Sequence, residues 1–183
     1  MARPVAVLDA DVLVPILSCD LLLSPFDHDL YQPVVTPTIL GEVERTLHTD
    51  FGHLDPEALG RRARQVRTVL AFHTRPDPVV TDAVVVVNTK DRHVAALAIA
   101  AHADVVVSND RRLRRQLGQL SPPVSAADAD RFALLLLHQD RDAINEALAA
   151  MVAKRQRRPV SRWELVDQLA GAFPGFTAAL RQG

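Results

Sequence analysis

Val5–Leu8 is an unbroken apolar run that halts at Asp9, the pattern of a strand buried on both faces in a parallel sheet. A helix is predicted from about residue 15 to 23, and residues 33–35 read as a second short strand. Thr36-Pro37 then supplies an N-cap followed by proline at the first helical position. Ile39, Leu40, Val43 and Leu47 form the apolar stripe of the helix it opens, with Glu42 on the flank. Asp55-Pro56 repeats the signal before Leu59, Ala63, Val66 and Leu70, a helix whose other surface carries Arg61, Arg62, Arg64 and Arg67. Between residues 75 and 90 the pattern is ambiguous, because residues 84–87 suit a strand and an apolar loop equally. Residues 91–102 read as a buried helix capped by Asp91, and residues 104–108 as a strand of three valines ending at Asn109-Asp110. Pro122-Pro123 breaks the helix that follows, and Val124-Ser125 reads as a last strand.

Strands and helices alternate, and acids recur where strands end. That combination predicts an α/β chain with an open, doubly wound sheet and a ligand site along the sheet's C-terminal edge. Beyond about residue 125 the alternation gives way to helices. Residues 132–137 are apolar, and residues 140–158 read as a helix ending in Lys154, Arg155, Arg157 and Arg158. Ser161-Arg162-Trp163-Glu164 is a capping box ahead of Leu165, Val166, Leu169 and Ala170, a stripe that ends before Pro174-Gly175. Helices this short bury too little to fold alone, so they are expected to pack on the core, on a second copy or on a partner. The expected division is residues 1–125 as one domain and 126–183 as a helical extension.

Composition changes this picture little. Hydrophobic residues make up 48% of the chain and aromatics only 4%, so the core must be Val, Leu and Ala packed between helices and sheet. A formal net charge of −1 offers no overall attraction for a polyanion, so any nucleic-acid contact needs a local patch. Arg111, Arg112, Arg114 and Arg115, directly after Asp110, are the nearest candidates, against the simpler reading of a solvated helix face. Cys19 is alone, which excludes a disulfide framework and a cysteine-rich zinc site. The start of the chain runs straight into the first strand with no signal-peptide core, and no apolar stretch approaches the ~20 residues of a membrane span, so a cytoplasmic protein is expected.

The chemistry lies in the acids. Asp9 and Asp110 follow strands that would meet if adjacent, and Glu42 and Asp91 lie near helix starts facing the same edge. Four carboxylates gathered this closely raise one another's pKa, and a divalent cation resolves the conflict. All-oxygen ligands favour Mg²⁺ or Mn²⁺, and such a site supports hydrolysis of a phosphodiester. Glu44 flanks the same helix as Glu42, and the residues alone leave that choice open. His28, His48, His53 and His93 lack metal-ligand spacing and read as surface or loop residues. With no Gly-rich phosphate loop, no nucleophile elbow and no base partner for Cys19, nucleophilic catalysis by the protein is not expected.

Four stretches in order carry a resemblance: Leu8-Asp9-Ala10-Asp11-Val12-Leu13, Thr38-Ile39-Leu40-Gly41-Glu42-Val43-Glu44-Arg45-Thr46-Leu47, Lys90-Asp91-Arg92-His93-Val94-Ala95-Ala96-Leu97 and Val105-Val106-Val107-Ser108-Asn109-Asp110-Arg111-Arg112-Leu113. Together they resemble PIN-domain ribonucleases, specifically the VapC-type toxins of toxin-antitoxin pairs. The resemblance implies a PIN-like three-layer fold, its short and mostly parallel central sheet flanked by helices, with a helical C-terminal extension seen in one subgroup. It implies a Mg²⁺ or Mn²⁺ site of Asp9, Glu42, Asp91 and Asp110, and it selects Glu42 over Glu44. It further implies an RNA substrate, a small protein antitoxin that inserts into the acidic groove, and a homodimer. Asp11 stands where the family often has Asn, with two roles open: reaching the metal through water, or holding the loop. Two other readings compete. Asp9-Ala10-Asp11 after a strand also resembles a haloacid-dehalogenase-like phosphatase, which lacks its later lysine and acid pair here, and a catalytically inactive PIN-like RNA-binding module would have lost acids.

Overall fold

The computed structural model describes residues 3–156 and 158–182. Met1, Ala2, Arg157 and Gly183 lie outside the described residues, and with them the first residues of the N-terminal expectation and one member of the basic run. Four strands, β1 (Val5–Leu8), β2 (Gln32–Val34), β3 (Val105–Val107) and β4 (Ala126–Ala127), form one sheet in the order β2-β1-β3-β4. Every pairing is parallel, with Val5 opposite Gln32, Leu8 opposite Val107 and Val107 opposite Ala127. All four C-terminal ends therefore lie along a single edge. Because helices cover both faces, the central strands need no polar side: Ala6, Val7, Leu8, Val106 and Val107 are each 0% exposed.

The helices of this three-layer α/β fold are α1 (Ala10–Leu13), α2 (Ile16–Leu23), α3 (Pro37–Asp50), α4 (Pro56–Val69), α5 (Arg92–Ala100) and α6 (Arg111–Leu117). The extension adds α7 (Ala129–Gln139), α8 (Arg141–Ala153), α9 (Arg162–Leu169) and α10 (Pro174–Gln182). The caps written in the sequence form as expected. Thr36 accepts from the Ile39 amide, Asp55 from the Glu57 and Ala58 amides, and Ser161 and Glu164 close their capping box. No helix among the described residues is long and apolar enough to cross a membrane.

Several local expectations are corrected. The last strand is Ala126–Ala127 rather than Val124-Ser125, because the Val124 amide is spent on the Leu117 carbonyl, which closes the turn after α6. Residues 75–90 are a loop broken by 3-10 turns. Val84 and Val87 tuck into the core at 1% exposure, while Val79 stands 83% exposed. Helix α8 stops at Ala153, short of the basic run. The capping-box stripe is followed by a further helix, α10, that the sequence reading ended before. Pro174 opens it, and its amides at Gly175 and Phe176 donate to Asp130 of α7 at 2.9 and 2.8 Å. A Cβ on Gly175 would come 2.9 Å from Asp130 Oδ2, so a larger residue there would push the capping carboxylate aside. Asp130→Ala strips the cap and should cost about 1–2 kcal/mol, a fall of a few degrees in thermal melting.

One continuous hydrophobic cluster joins strands, flanking helices and extension, running from Val7 and Leu8 through Tyr31 to Phe132, Leu136, Phe173 and Phe176. Tyr31 and Phe132 meet edge to face with ring centroids 5.0 Å apart, and Gln139 Nε2 donates to the Leu30 carbonyl.

Candidate acidic site at the sheet edge

Adjacency of β1 and β3 brings Asp9 and Asp110 to the same stretch of edge, and the Asp9 amide donates to the Val107 carbonyl. Asp9 caps the short α1, its Oδ1 accepting from the Ala10 amide at 2.7 Å. Burial, reinforced by the charge of Asp11, raises its pKa from 3.8 to about 6.

Asp11 holds the loop that follows β3. Its Oδ2 accepts from Ser108 Oγ at 3.2 Å, the Asn109 amide at 2.9 Å and the Asp110 amide at 3.0 Å. Three donors on one carboxylate oxygen fix where Asp110 stands. The other oxygen, Oδ1, is buried with no hydrogen-bond partner, and burial raises the pKa of the group despite those donors. Asp110 caps α6 through Oδ1, which accepts from the Arg112 and Leu113 amides at 2.7 and 3.2 Å. Burial pushes its pKa upward, but those two amides and the charges of Lys90 and Arg112 outweigh it and hold the carboxyl below its ordinary value.

Glu42 reaches inward from α3, its Oε2 3.2 Å from His93 Nε2, an ion-pair distance without the alignment of a hydrogen bond. Burial lowers the His93 pKa, yet Glu42, with Asp9 behind it, holds the imidazole above its ordinary value. Glu44 is drawn the other way, its Oε2 2.9 Å from Arg67 on α4.

Asp91 corrects an expectation. It precedes α5 but caps nothing, because its backbone (φ −108°, ψ 0°) ends a 3-10 turn instead of taking the extended conformation that aims a capping side chain at the helix amides. The freed carboxylate has one oxygen, Oδ2, buried without a partner, and the other 3.8 Å from Lys90 Nζ. Burial raises its pKa, and Asp110 and Glu42 add to the shift against Lys90 and His93.

The four acids thus share one field, with Asp9 sensing Glu42 and Asp91 sensing both Glu42 and Asp110. Among the described residues, no three His, Cys, Asp or Glu side chains are grouped closely enough to hold one metal ion as they stand. The donor chemistry nonetheless fits a hard divalent cation. Every candidate acid presents carboxylate oxygen, and Asp91 Oδ2, like Oδ1 of Asp11 on α1, is buried without a hydrogen bond. His93 and Lys90 are the members of this edge that sequence reasoning missed. Their one signal was position, flanking Asp91 within two residues.

The arginines divide. Arg114 braces the site's loop by donating to the Ser108 carbonyl, with Asp128 3.6 Å away. Arg61, Arg62 and Arg67 are engaged with Glu57, Asp20 and Glu44. Arg111, Arg112 and Arg115 remain exposed on α6, next to Asp110.

Residues 5–112 match the profile of the PIN domain. The chain is also similar in fold to a solved structure, the crystal structure of PAE2754 from Pyrobaculum aerophilum, with a TM-score of 0.56 and 18% sequence identity over 74% of this chain and 90% of that one. No curated protein matches the sequence significantly. With its acids at the C-terminal edge of a parallel sheet and its profile match covering more than half of its length, the chain belongs to the PIN-domain family.

Proposed function

We propose that this protein is a Mg²⁺- or Mn²⁺-dependent endoribonuclease, the toxin of a toxin-antitoxin pair. The observation that carries the reading is that acids following β1 and β3, on α3 and in the turn before α5 share the field of one sheet edge, and one of them keeps a buried carboxylate oxygen with no partner of its own. Asp9, Glu42, Asp91 and Asp110 would hold the cation. When bound, the ion supplies an activated water and charge neutralisation at the scissile phosphodiester. The chain's own groups do the rest. Asp11 holds the loop that presents Asp110, and the cap on α6 aims that carboxylate. His93, beside Glu42, is placed to hold a proton at Nε2.

The toxin assignment, with a small protein antitoxin and a homodimer, rests on the order of the four acid-bearing stretches and the helical extension after them. It is tested by Mn²⁺-dependent cleavage of mixed RNA, which should stop when EDTA removes the metal and in an Asp9→Asn variant. RNA bound but left intact would point instead to an inactive RNA-binding module.

Arg111 and Arg112 give the reading a substrate arm, as exposed cations one and two residues beyond Asp110. Replacing both with Gln should weaken RNA binding, and lower the slope of log affinity against log salt by about 1.4 if each meets one phosphate of a single strand. A slope unchanged within error would place the RNA path elsewhere.

A further inference from the structure

Lys90 sits in the 3-10 turn Thr89–Asp91, and its Nζ lies 3.8 Å from Asp91 Oδ1 and 3.8 Å from Asp110 Oδ2. One ammonium therefore faces two carboxylates that come from different elements. Of the remaining oxygens of that pair, Asp110 Oδ1 accepts the two amides of α6, and Asp91 Oδ2 is buried with no hydrogen-bond partner. What the two acids present toward each other is what Lys90 meets. The residue type also matters. Lys90 and Lys154 are the chain's only lysines among 21 basic residues. An ammonium carries a full positive charge between the two carboxylates, as a metal ion would, and it is this charge that counts. At 67% side-chain exposure Lys90 has no packing role and is free to swing into solvent.

We infer that Lys90 is a tethered counter-cation, which occupies the space between Asp91 and Asp110 in the metal-free protein and is displaced by a divalent ion, so that it sets how tightly the site takes metal. This rests on the metal-dependent reading above and extends it to regulation of the same site. It accounts for two of the four acids standing apart across a charge rather than around a common centre. The competing account, an exposed ion pair of little consequence, makes the opposite forecast, because such pairs leave metal affinity unchanged. Repulsion between an ammonium and a divalent cation a few Å apart, screened by water and salt, amounts to roughly tenfold in affinity.

The test is Mn²⁺ binding by titration calorimetry at fixed ionic strength, without RNA, on the full chain and on its Lys90→Met and Lys90→Arg variants. Lys90→Met should bind Mn²⁺ about tenfold more tightly than the wild type, and Lys90→Arg, which keeps the charge, should stay near it. Should Lys90→Met yield too little folded protein, Lys90→Gln removes the same charge. Unchanged or weaker binding by the neutral variant overturns the inference, as does an Arg variant that binds as tightly as the Met one. If the wild type binds Mn²⁺ and cleaves RNA while Lys90→Met shows no gain, only the role of Lys90 falls. If no form binds Mn²⁺, the metal-dependent reading falls with it.

Discussion

Asp9→Asn should remove metal-dependent RNA cleavage, by at least about a hundredfold, while making the protein more stable at neutral pH. The two effects share a cause. Asp9 is partly buried beside Asp11, and its pKa stands at about 6 in the folded protein against 3.8 for the free side chain. Between those values the folded state binds more protons than the unfolded one, so stability falls as pH rises through the window and stays lower above it. A shift of about two units corresponds to at most roughly 3 kcal/mol of strain from the charged carboxylate. Asparagine keeps an oxygen for the Ala10 amide and discards the charge. Denaturation in EDTA should therefore show the variant ahead by about 1–3 kcal/mol near pH 7.5, with the gap closing toward about pH 4. An asparagine variant that cleaved RNA at the wild-type rate would remove Asp9 from the site. Equal stability at both pH values would mean that the buried charge carries no such strain.

Truncation after Ala127 should yield a protein that does not fold. Phe132, Leu136 and Leu137 of α7 belong to the same cluster as the sheet, and Tyr31 meets Phe132 directly. Losing those three side chains alone forfeits about 5–9 kcal/mol of burial, comparable to the whole stability of a domain this size. The cut also leaves Tyr31 and the face of α2 open to water. Soluble expression and a cooperative melt report the outcome. A truncate that melted cooperatively within a few degrees of the full chain would make residues 128–182 an independent appendage.

Much of this fold is legible locally. The apolar run Val5–Leu8 is the central strand it reads as, and the caps at Thr36, Asp55 and Ser161 form where their residues announce them, because each signal is complete within a few positions. What was not legible depends on distant partners. Helix α10 has a short stripe and takes its cap from Asp130, across 45 positions of sequence. Residues 75–90 are rich in valine without a period, so nothing local says that Val84 turns in and Val79 out. At the acidic edge, the separate directions of Glu42 and Glu44 follow from where α5 places His93 and where α4 places Arg67. Asp91 reads as a cap until the 3-10 turn before it is known, and the same turn hides the reach of Lys90.

The bonds from Asp11 to Ser108, Asn109 and Asp110 join positions 97 to 99 residues apart. High contact order of this kind makes closure of the sheet's centre a slow step, since a long loop must be organised before its contacts are rewarded. It also orders events during synthesis. Asp9 and Glu42 are made well before Asp91 and Asp110 exist, so a growing chain holds half of these acids and not the whole set. The acids of this edge therefore come to face one another only once β3 has docked against β1.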